Sequence, residues 1–127
     1  MSVKFRVVSR KNPQDITAPE KFYASAIGDG ETDLDTLAKA ISIQCTVTAA
    51  DCYAVLVSLE SNIISELEQG RIVKLGRVGN FQVGISSEGK ATADEVNSHA
   101  IIKNRIRFRP GKSLRSFLKD VSYKKAG

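Results

Sequence analysis

The sequence lacks several features that mark whole classes of protein. Tryptophan is absent, and the 127 residues include two cysteines and one histidine. No apolar run approaches the roughly 20 residues of a membrane span. Cys45 and Cys52 are too few for a disulfide framework or a zinc quartet, so buried thiols in a reducing cytoplasm are expected. The start, MSVKFRVV, has no long apolar region and no small-residue cleavage site, so no secretion signal is expected.

Catalytic constellations are also missing, and the sequence predicts a protein that is not an enzyme. His99 has no cysteine or carboxylate at a triad-like spacing. The pair Asp33 and Asp35 is explained by a helix start, where negative charge favours the positive end of the helix dipole. The glycine-rich GRVGNF lacks the G-K-[ST] ending of a phosphate loop. We therefore expect no cofactor, no metal and no small-molecule substrate.

Positive charge is abundant, and it is unevenly distributed. The formal net charge is +5. Residues 1–27 carry a net +3, residues 28–102 a net −6 and residues 103–127 a net +8. This concentration of bases in the C-terminal fifth favours a polyanionic partner over general solubility.

The most informative stretch is KNRIRFRPGK, from Lys103 to Lys112. Alternation along a strand places Ile102, Asn104, Ile106 and Phe108 on one face, and Lys103, Arg105, Arg107 and Arg109 on the other. No acid interrupts this row of bases, which favours contact with a phosphate backbone. The alternative is a solvated outer face, because long cationic side chains lie easily over a sheet.

The remaining hydrophobic pattern predicts an α+β fold. It contains an N-terminal β-hairpin, a helical hairpin, a three-stranded antiparallel sheet and a short C-terminal helix. The segment at residues 86–98 is polar and predicts a flexible excursion between strands. The expected elements are strands near residues 3–7 and 22–27, helices near 34–44 and 49–69, strands at 72–75, 81–85 and 100–109, a helix at 112–120 and a brief strand near 121–123.

Two spaced motifs resemble the bacterial HU and integration host factor family of histone-like proteins. The first, G-x-x-V-x-L-x-x-x-G-x-F, is formed here by Gly70, Val73, Leu75, Gly79 and Phe81. The second, F-x-P-G-K-x-L, is formed by Phe108, Pro110, Gly111, Lys112 and Leu114. Together with the two helices, the resemblance covers about residues 32–120, and the N-terminal hairpin resembles an extended branch of the family.

The resemblance implies an intertwined homodimer, in which helices form the base and sheets form the floor of a saddle that holds duplex DNA. It also implies a single HU-like domain over residues 1–127, with an N-terminal extension at 1–30, a core at 31–120 and a tail at 121–127. A partner chain would cover apolar area that two helices and three short strands leave open. The expected location is the cytoplasm, on the nucleoid, with double-stranded DNA and a second copy of the chain as partners.

The resemblance assigns DNA-binding residues one at a time. Lys112 matches the lysine of the family signature, and Gly79 and Asn80 match a phosphate-facing turn that also contains Arg77. Arg105, Arg107 and Arg109 lie on the strand returning from the arm, and Lys103 precedes them in the same row. The arm itself is modified, since residues 86–98 contain no arginine and no proline. Without a residue that wedges between bases, backbone binding with weak sequence preference is expected.

Two functions remain open at this stage. The first is non-sequence-specific binding of duplex DNA, in an architectural, nucleoid-associated role. The second is a protein-interaction module that keeps the HU scaffold with weakened or lost DNA binding. For the second, an exposed edge strand at residues 3–8 would pair with another chain.

Overall fold

Residues 2–127 are described by a computed structural model, which divides into two compact units. Among the described residues, the first unit consists of residues 2–33 and 117–127, and the second of residues 34–116. The boundary between the units falls within the last helix. The predicted division into one domain with an extension and a tail stays a prediction.

The first unit is built on a three-stranded sheet. β1 (Val3–Arg10) pairs antiparallel with β2 (Lys21–Ala26), as the N-terminal alternation predicts. The C-terminal strand β6 (Tyr123–Lys125) pairs parallel with the first residues of β1. β1 is therefore the middle strand. The expected exposed edge is wrong for Val3, Lys4 and Phe5, because β6 occupies that side.

The second unit begins with the predicted helical hairpin. α1 (Leu34–Gln44) and α2 (Ala49–Glu68) pack against each other. The Thr48 hydroxyl accepts a hydrogen bond from the Asp51 amide at 3.2 Å, which fixes the start of α2. Gly70 follows the end of α2 with a φ of 79°, a conformation that glycine adopts without steric cost.

The cysteine prediction is half right. Cys52 is buried on α2, as expected of a structural thiol, whereas Cys45 is exposed. Cys45 follows the last residue of α1 and, together with Ile41 and Cys52, lines an apolar depression of the single chain.

The second unit continues with an antiparallel sheet in the order β3-β4-β5. Its strands are β3 (Val73–Leu75), β4 (Gly79–Ser87) and β5 (Ile101–Pro110). The helix α2 contacts both β3 and β4. The strands β4 and β5 pair along nearly their whole length, with a register shift at Ser86 and Ser87. The helix α3 (Lys112–Asp120) then follows with the bounds that the sequence predicts.

The excursion between β4 and β5 lies two residues later than the sequence suggests, at residues 88–100 and not 86–98. β4 extends to Ser87, and the Glu88 amide donates a hydrogen bond to the Ala100 carbonyl at 2.8 Å. Two 3-10 turns, Ala93–Glu95 and Ser98–Ala100, occupy the intervening segment. Ala100 is buried, so this end of the loop packs against the protein.

Candidate nucleic-acid interface

The register of β4 and β5 places the predicted row of bases on one face of the sheet. Directly paired residues share a face, so each base of β5 lies beside a residue of β4. These pairs are Ser86 with Lys103, Gly84 with Arg105, Gln82 with Arg107 and Asn80 with Arg109. All four bases are exposed. We call the face defined by Lys103, Arg105, Arg107 and Arg109 the C-terminal basic face.

No carboxylate neutralises this face among residues 2–127. The salt bridges of the described chain are Lys11–Glu20, Lys39–Asp35, Arg71–Glu66 and Lys90–Glu88. None of them involves a base of β5. Cations two residues apart on a strand are separated by about 7 Å and repel one another. The face is therefore an exposed, uncompensated positive surface.

Gly84 gives the arginines room to lie across β4. A Cβ atom at Gly84 would meet Arg107 Nε at 2.7 Å and Arg105 Cγ at 3.3 Å. Arg105 also donates a hydrogen bond from Nη1 to the Ser86 hydroxyl at 2.7 Å. Because Gly84 has no side chain, the guanidinium groups of Arg105 and Arg107 have room to lie close to the surface of the sheet.

The turn between β3 and β4 meets the start of α3. The Gly111 amide donates to the Val78 carbonyl at 2.7 Å, and the Ser113 amide donates to the Arg77 carbonyl at 3.1 Å. A Cβ at Gly111 would collide with the Arg77 carbonyl oxygen, so only glycine permits this approach. Gly79 pairs with Pro110, and a Cβ there would collide with the Arg109 carbonyl oxygen.

These contacts bring four predicted residues to one end of the C-terminal basic face. Arg77 and Gly79 lie in the turn, Asn80 lies opposite Arg109, and Lys112 is the first residue of α3. Arg77 and Lys112 are exposed, while Asn80 is half-buried and Gly79 is buried. The eight residues named from the sequence therefore lie on one sheet, its adjoining turn and the start of α3, and their contact with DNA stays a prediction.

The structure adds Lys74, which the sequence reasoning missed. Lys74 pairs with Asn80, and Asn80 pairs with Arg109, so all three lie on the same face. Lys74 is exposed. The signal was present in the alternation Val73-Lys74-Leu75, but the register of β3 was needed to assign its lysine to the basic face.

The opposite face of this sheet is apolar and largely uncovered in the single chain. Phe81 and Phe108 contact each other with ring centroids 5.0 Å apart. Beside them, Val83 and Ile106 form a cross-strand pair, and Ile106 is 58% exposed. On α2, Val55 is 65% exposed. The only buried hydrophobic side chains among residues 2–127 are Ala38, Cys52 and Ala100.

The total exposed surface supports the same point. The chain of 13.8 kDa exposes 10716 Å². A compact monomer of this mass exposes about 6,600 Å², and two separate compact units of these sizes about 8,000 Å². Exposed apolar side chains on the helices and strands contribute to this surface, Val55, Ile64 and Ile106 among them.

The described residues contain no helix that is long and apolar enough to cross a membrane. Within the same residues, no group of three or more histidine, cysteine or carboxylate side chains is placed to hold a metal ion.

Comparison with known proteins gives a family and a fold. The family model HU-HIG, described as "HU domain fused to wHTH, Ig, or Glycine-rich motif", matches residues 1–125. No curated protein matches the sequence.

A solved structure shows a similar fold. This chain superimposes with a TM-score of 0.68 and 14% identity on a candidate bacterial DNA-binding protein from Bacteroides vulgatus ATCC 8482, a crystal structure at 2.25 Å resolution. The match covers 99% of this chain and 49% of the other, so this chain spans about half the length of that protein. The mixed fold of three helices and two three-stranded sheets is thus one that an HU-like protein adopts. From the family match over residues 1–125, the chain belongs to the HU-HIG family of HU-like domains.

Proposed function

We propose that this protein binds duplex DNA through the C-terminal basic face, with weak sequence preference and in an architectural role on the nucleoid. The observation that carries this proposal is the exposed row of four bases on β5 without an ion-pair partner. The HU-like family and the similarity to a candidate DNA-binding protein support it.

Binding by this face is driven by the release of counterions from the phosphate backbone. Arginine is suited to phosphate because its planar guanidinium presents several donors to two oxygens at once. Lys112 and the turn around Arg77 extend the positive surface at one end of β5, and Lys74 widens it across β3. Contacts of this kind fix the position of the duplex but do not distinguish its sequence.

The binding unit in this proposal is an intertwined homodimer. The apolar side of the sheet and exposed apolar side chains of α2, such as Val55 and Ile64, require a cover, and a second copy of the chain supplies an identical apolar surface. The single chain exposes about 4,100 Å² more than a compact monomer of its mass, and covering part of this area on each of two chains would give an interface in the range of obligate dimers. Two copies then present two C-terminal basic faces to one duplex.

The loop between β4 and β5 limits what this dimer does to DNA. It contains no proline or arginine, and Lys90, its base, forms a 3.2 Å ion pair with Glu88. Strong kinking in the minor groove requires an apolar wedge between base steps. This loop has no proline to act as such a wedge. The proposal is therefore of backbone binding without intercalation.

The proposal also includes a cytoplasmic location on the nucleoid and the absence of catalysis. Both follow from the proposed role in DNA organisation, in which binding itself is the activity. Neither the basic face nor the turn at Arg77 combines a nucleophile with a general base, as an acyl-transfer or hydrolytic site would require.

A salt titration of duplex binding tests the proposal. If each subunit engages about four phosphates through this face, the dimer neutralises about eight, and the slope of log K against log[salt] from these contacts is near −7. The variant carrying Arg105→Glu, Arg107→Glu and Arg109→Glu is expected to bind at least about a hundredfold more weakly. Light scattering on the same samples gives the mass of the complex and tests the dimer.

The matched control is the variant carrying Lys39→Glu, Arg71→Glu and Lys90→Glu. It changes the net charge by the same amount, but its three bases pair with acids and lie outside the C-terminal basic face. Exposed ion pairs contribute little to stability, so this variant should fold. A wild-type slope near −1, or equal binding by both triple variants, contradicts the proposal and favours a protein-interaction role.

A further inference from the structure

The register of the N-terminal sheet creates a second face of uniform positive charge. Along β1, alternation places Lys4, Arg6 and Arg10 on one side of the sheet. Pairing adds Lys21 of β2, which lies opposite Arg10, and Lys124 of β6, which lies opposite Lys4. We call the surface formed by these five bases the N-terminal basic face.

No acid lies on any strand of this sheet. The strand sequences are VKFRVVSR, KFYASA and YKK, and all five bases of the face are exposed. The ion pair between Lys11 and Glu20, at 3.8 Å, belongs to the connection between β1 and β2. The face is thus as free of compensating charge as the row on β5.

The pairing brings like charges together in a way that folding alone does not favour. Lys4 and Lys124 are direct neighbours across strands, and so are Arg10 and Lys21. Neighbouring strands lie about 4.8 Å apart, and like charges directly opposite each other are destabilising. Two such pairs on one small sheet are explained by an anionic partner that relieves the repulsion.

The other side of the N-terminal sheet is mainly apolar. Phe5, Ala24, Ala26 and Tyr123 line an apolar depression on that side. Five of the six bases on these strands therefore lie on one side, and the sixth, Lys125, pairs with Phe5 at the end of β6 on the other side.

The shape of the N-terminal basic face fits an extended ligand. From Lys4 to Arg10 the strand covers about 20 Å, the length of about six base pairs of duplex. At the hairpin end the face continues into an open depression of about 520 Å³, lined by Arg10, Lys11, Asn12, Lys21 and Tyr23 among others. The Arg10 guanidinium lies over the Tyr23 ring, 6.0 Å from its centroid.

From this arrangement we infer that the N-terminal basic face is a second binding surface for the phosphate backbone of duplex DNA. The inference rests on the proposed function for its choice of ligand, because a protein that binds DNA through one basic sheet meets the same polyanion with the other. A small anion is a poorer match, since the bases are spread along the strand and do not converge on one point.

Charge removal on this face tests the inference. In the variant carrying Lys4→Gln, Arg6→Gln and Arg10→Gln, the slope of log K against log[salt] should become shallower by about 5, because three contacts per chain, or six per dimer, are lost at about 0.9 each. At 100 mM salt, about a tenfold or larger loss of affinity is expected. The charge-reversed variant with glutamate at the same three positions should lose more, and thermal unfolding monitors the fold of both.

The control variant with Lys39, Arg71 and Lys90 changed to glutamate separates a local contact from the effect of net charge. If it loses as much affinity as the charge-reversed variant at Lys4, Arg6 and Arg10, the inference is overturned. Unchanged affinity and slope in both the glutamine and the glutamate variants at those three positions overturn it as well.

The outcomes also distinguish this inference from the proposed function. Loss of binding in the Arg105, Arg107 and Arg109 variant alone supports the proposed function and removes the second surface. Loss in the Lys4, Arg6 and Arg10 variant alone removes the C-terminal basic face as the binding surface and retains the N-terminal one. Variants at Lys4, Arg6 and Arg10 that keep DNA binding but lose binding to phosphatidylglycerol vesicles would assign the face to a membrane surface and overturn the inference.

Discussion

The N-terminal and C-terminal sheets each have a basic face, but the bases that form it are arranged differently along the sequence. In the C-terminal sheet, four of the bases lie on one strand, β5, and are visible as a continuous alternating motif. In the N-terminal sheet, the five bases come from three strands, one of which is contributed by the other end of the chain. Two faces that each carry only positive charge can therefore differ greatly in how easily they are predicted from the sequence.

The apolar sides of the sheets differ as well. In the C-terminal sheet the apolar side includes a cross-strand aromatic pair and several large aliphatic residues. In the N-terminal sheet the depression is lined partly by alanines. We therefore expect the apolar side of the C-terminal sheet to provide most of the dimer interface, and the following predictions test how different the two sheets are.

The largest expected effect comes from placing a charge on the apolar side of the C-terminal sheet. Ile106→Glu would bury an unpaired carboxylate in the proposed dimer, at a cost of about 3–5 kcal/mol. The dimer dissociation constant, measured by sedimentation or light scattering, should rise more than about a hundredfold. Ile16→Glu is the control, because Ile16 is 79% exposed in the connection between β1 and β2. Equal dimer strength in the two variants would count against this interface.

The next effect concerns Lys74, which lies on β3 on the same side of the sheet as the C-terminal basic face. Lys74→Glu should weaken duplex binding several-fold and reduce the salt slope by about 2, as expected when one phosphate contact is lost from each subunit of the dimer. Lys39→Glu makes the same change in charge at a lysine that pairs with Asp35 on α1. A salt slope that changes equally in both variants would show that Lys74 makes no direct contact.

A smaller effect is expected from filling the space at Gly84. In Gly84→Ala, the new methyl group meets Arg107 Nε and displaces flexible side chains, so the backbone need not move. The arginines would be less well positioned, and the affinity for duplex DNA should fall about two- to fivefold, or by about 0.4–1 kcal/mol. Gly89→Ala is the control, since a Cβ there meets nothing within 4 Å. Equal affinities of the two variants would show that the arginines do not depend on this space.

The smallest effect is expected in the connection between β1 and β2 of the N-terminal sheet. The Thr17 hydroxyl donates to the Asp15 carboxylate at 2.6 Å, and together with the Thr17 amide it lowers the pKa of Asp15 below its ordinary value of 3.8. Thr17→Val should raise the pKa of Asp15 towards that value, measured by an NMR titration of the carboxyl group. An unchanged titration midpoint would show that the hydroxyl does not hold the carboxylate.

The direction of the associated stability change follows from linkage. Because the folded protein holds the carboxylate form, this contribution to stability is present above pH 3.8 and is lost as the pH falls through the lowered pKa of Asp15. The group is exposed, so the change in unfolding with pH should be small.

The secondary structure was readable from the sequence where local signals were strong. Thr48 and Gly70 mark the two ends of α2, and the bounds of α3 follow from Pro110-Gly111 and the apolar spacing after it. The start of β5 was also well predicted, because its alternation of apolar and basic residues is continuous. Such signals depend on neighbours in the chain, which the sequence contains in full.

The errors arose where strand pairing decides the outcome. The interpretation of β1 as an edge strand failed because β6, more than a hundred residues later, pairs with it in parallel. Lys74 was missed because its face depends on the register of β3 against β4. The predicted excursion began two residues too early because β4 and β5 continue to pair as far as Ser87, in spite of the polar sequence there.

By itself, the sequence determined the order of helices and strands, the row of bases on β5 and the membership of an HU-like family, because alternation, capping and motif spacing are properties of nearby residues. Only the tertiary structure decided that Lys74 lies on the same face as this row, and that bases of β1, β2 and β6 form a second basic face. The physical reason is that hydrogen-bonded register between distant strands, and not spacing along the chain, sets which side chains share a face.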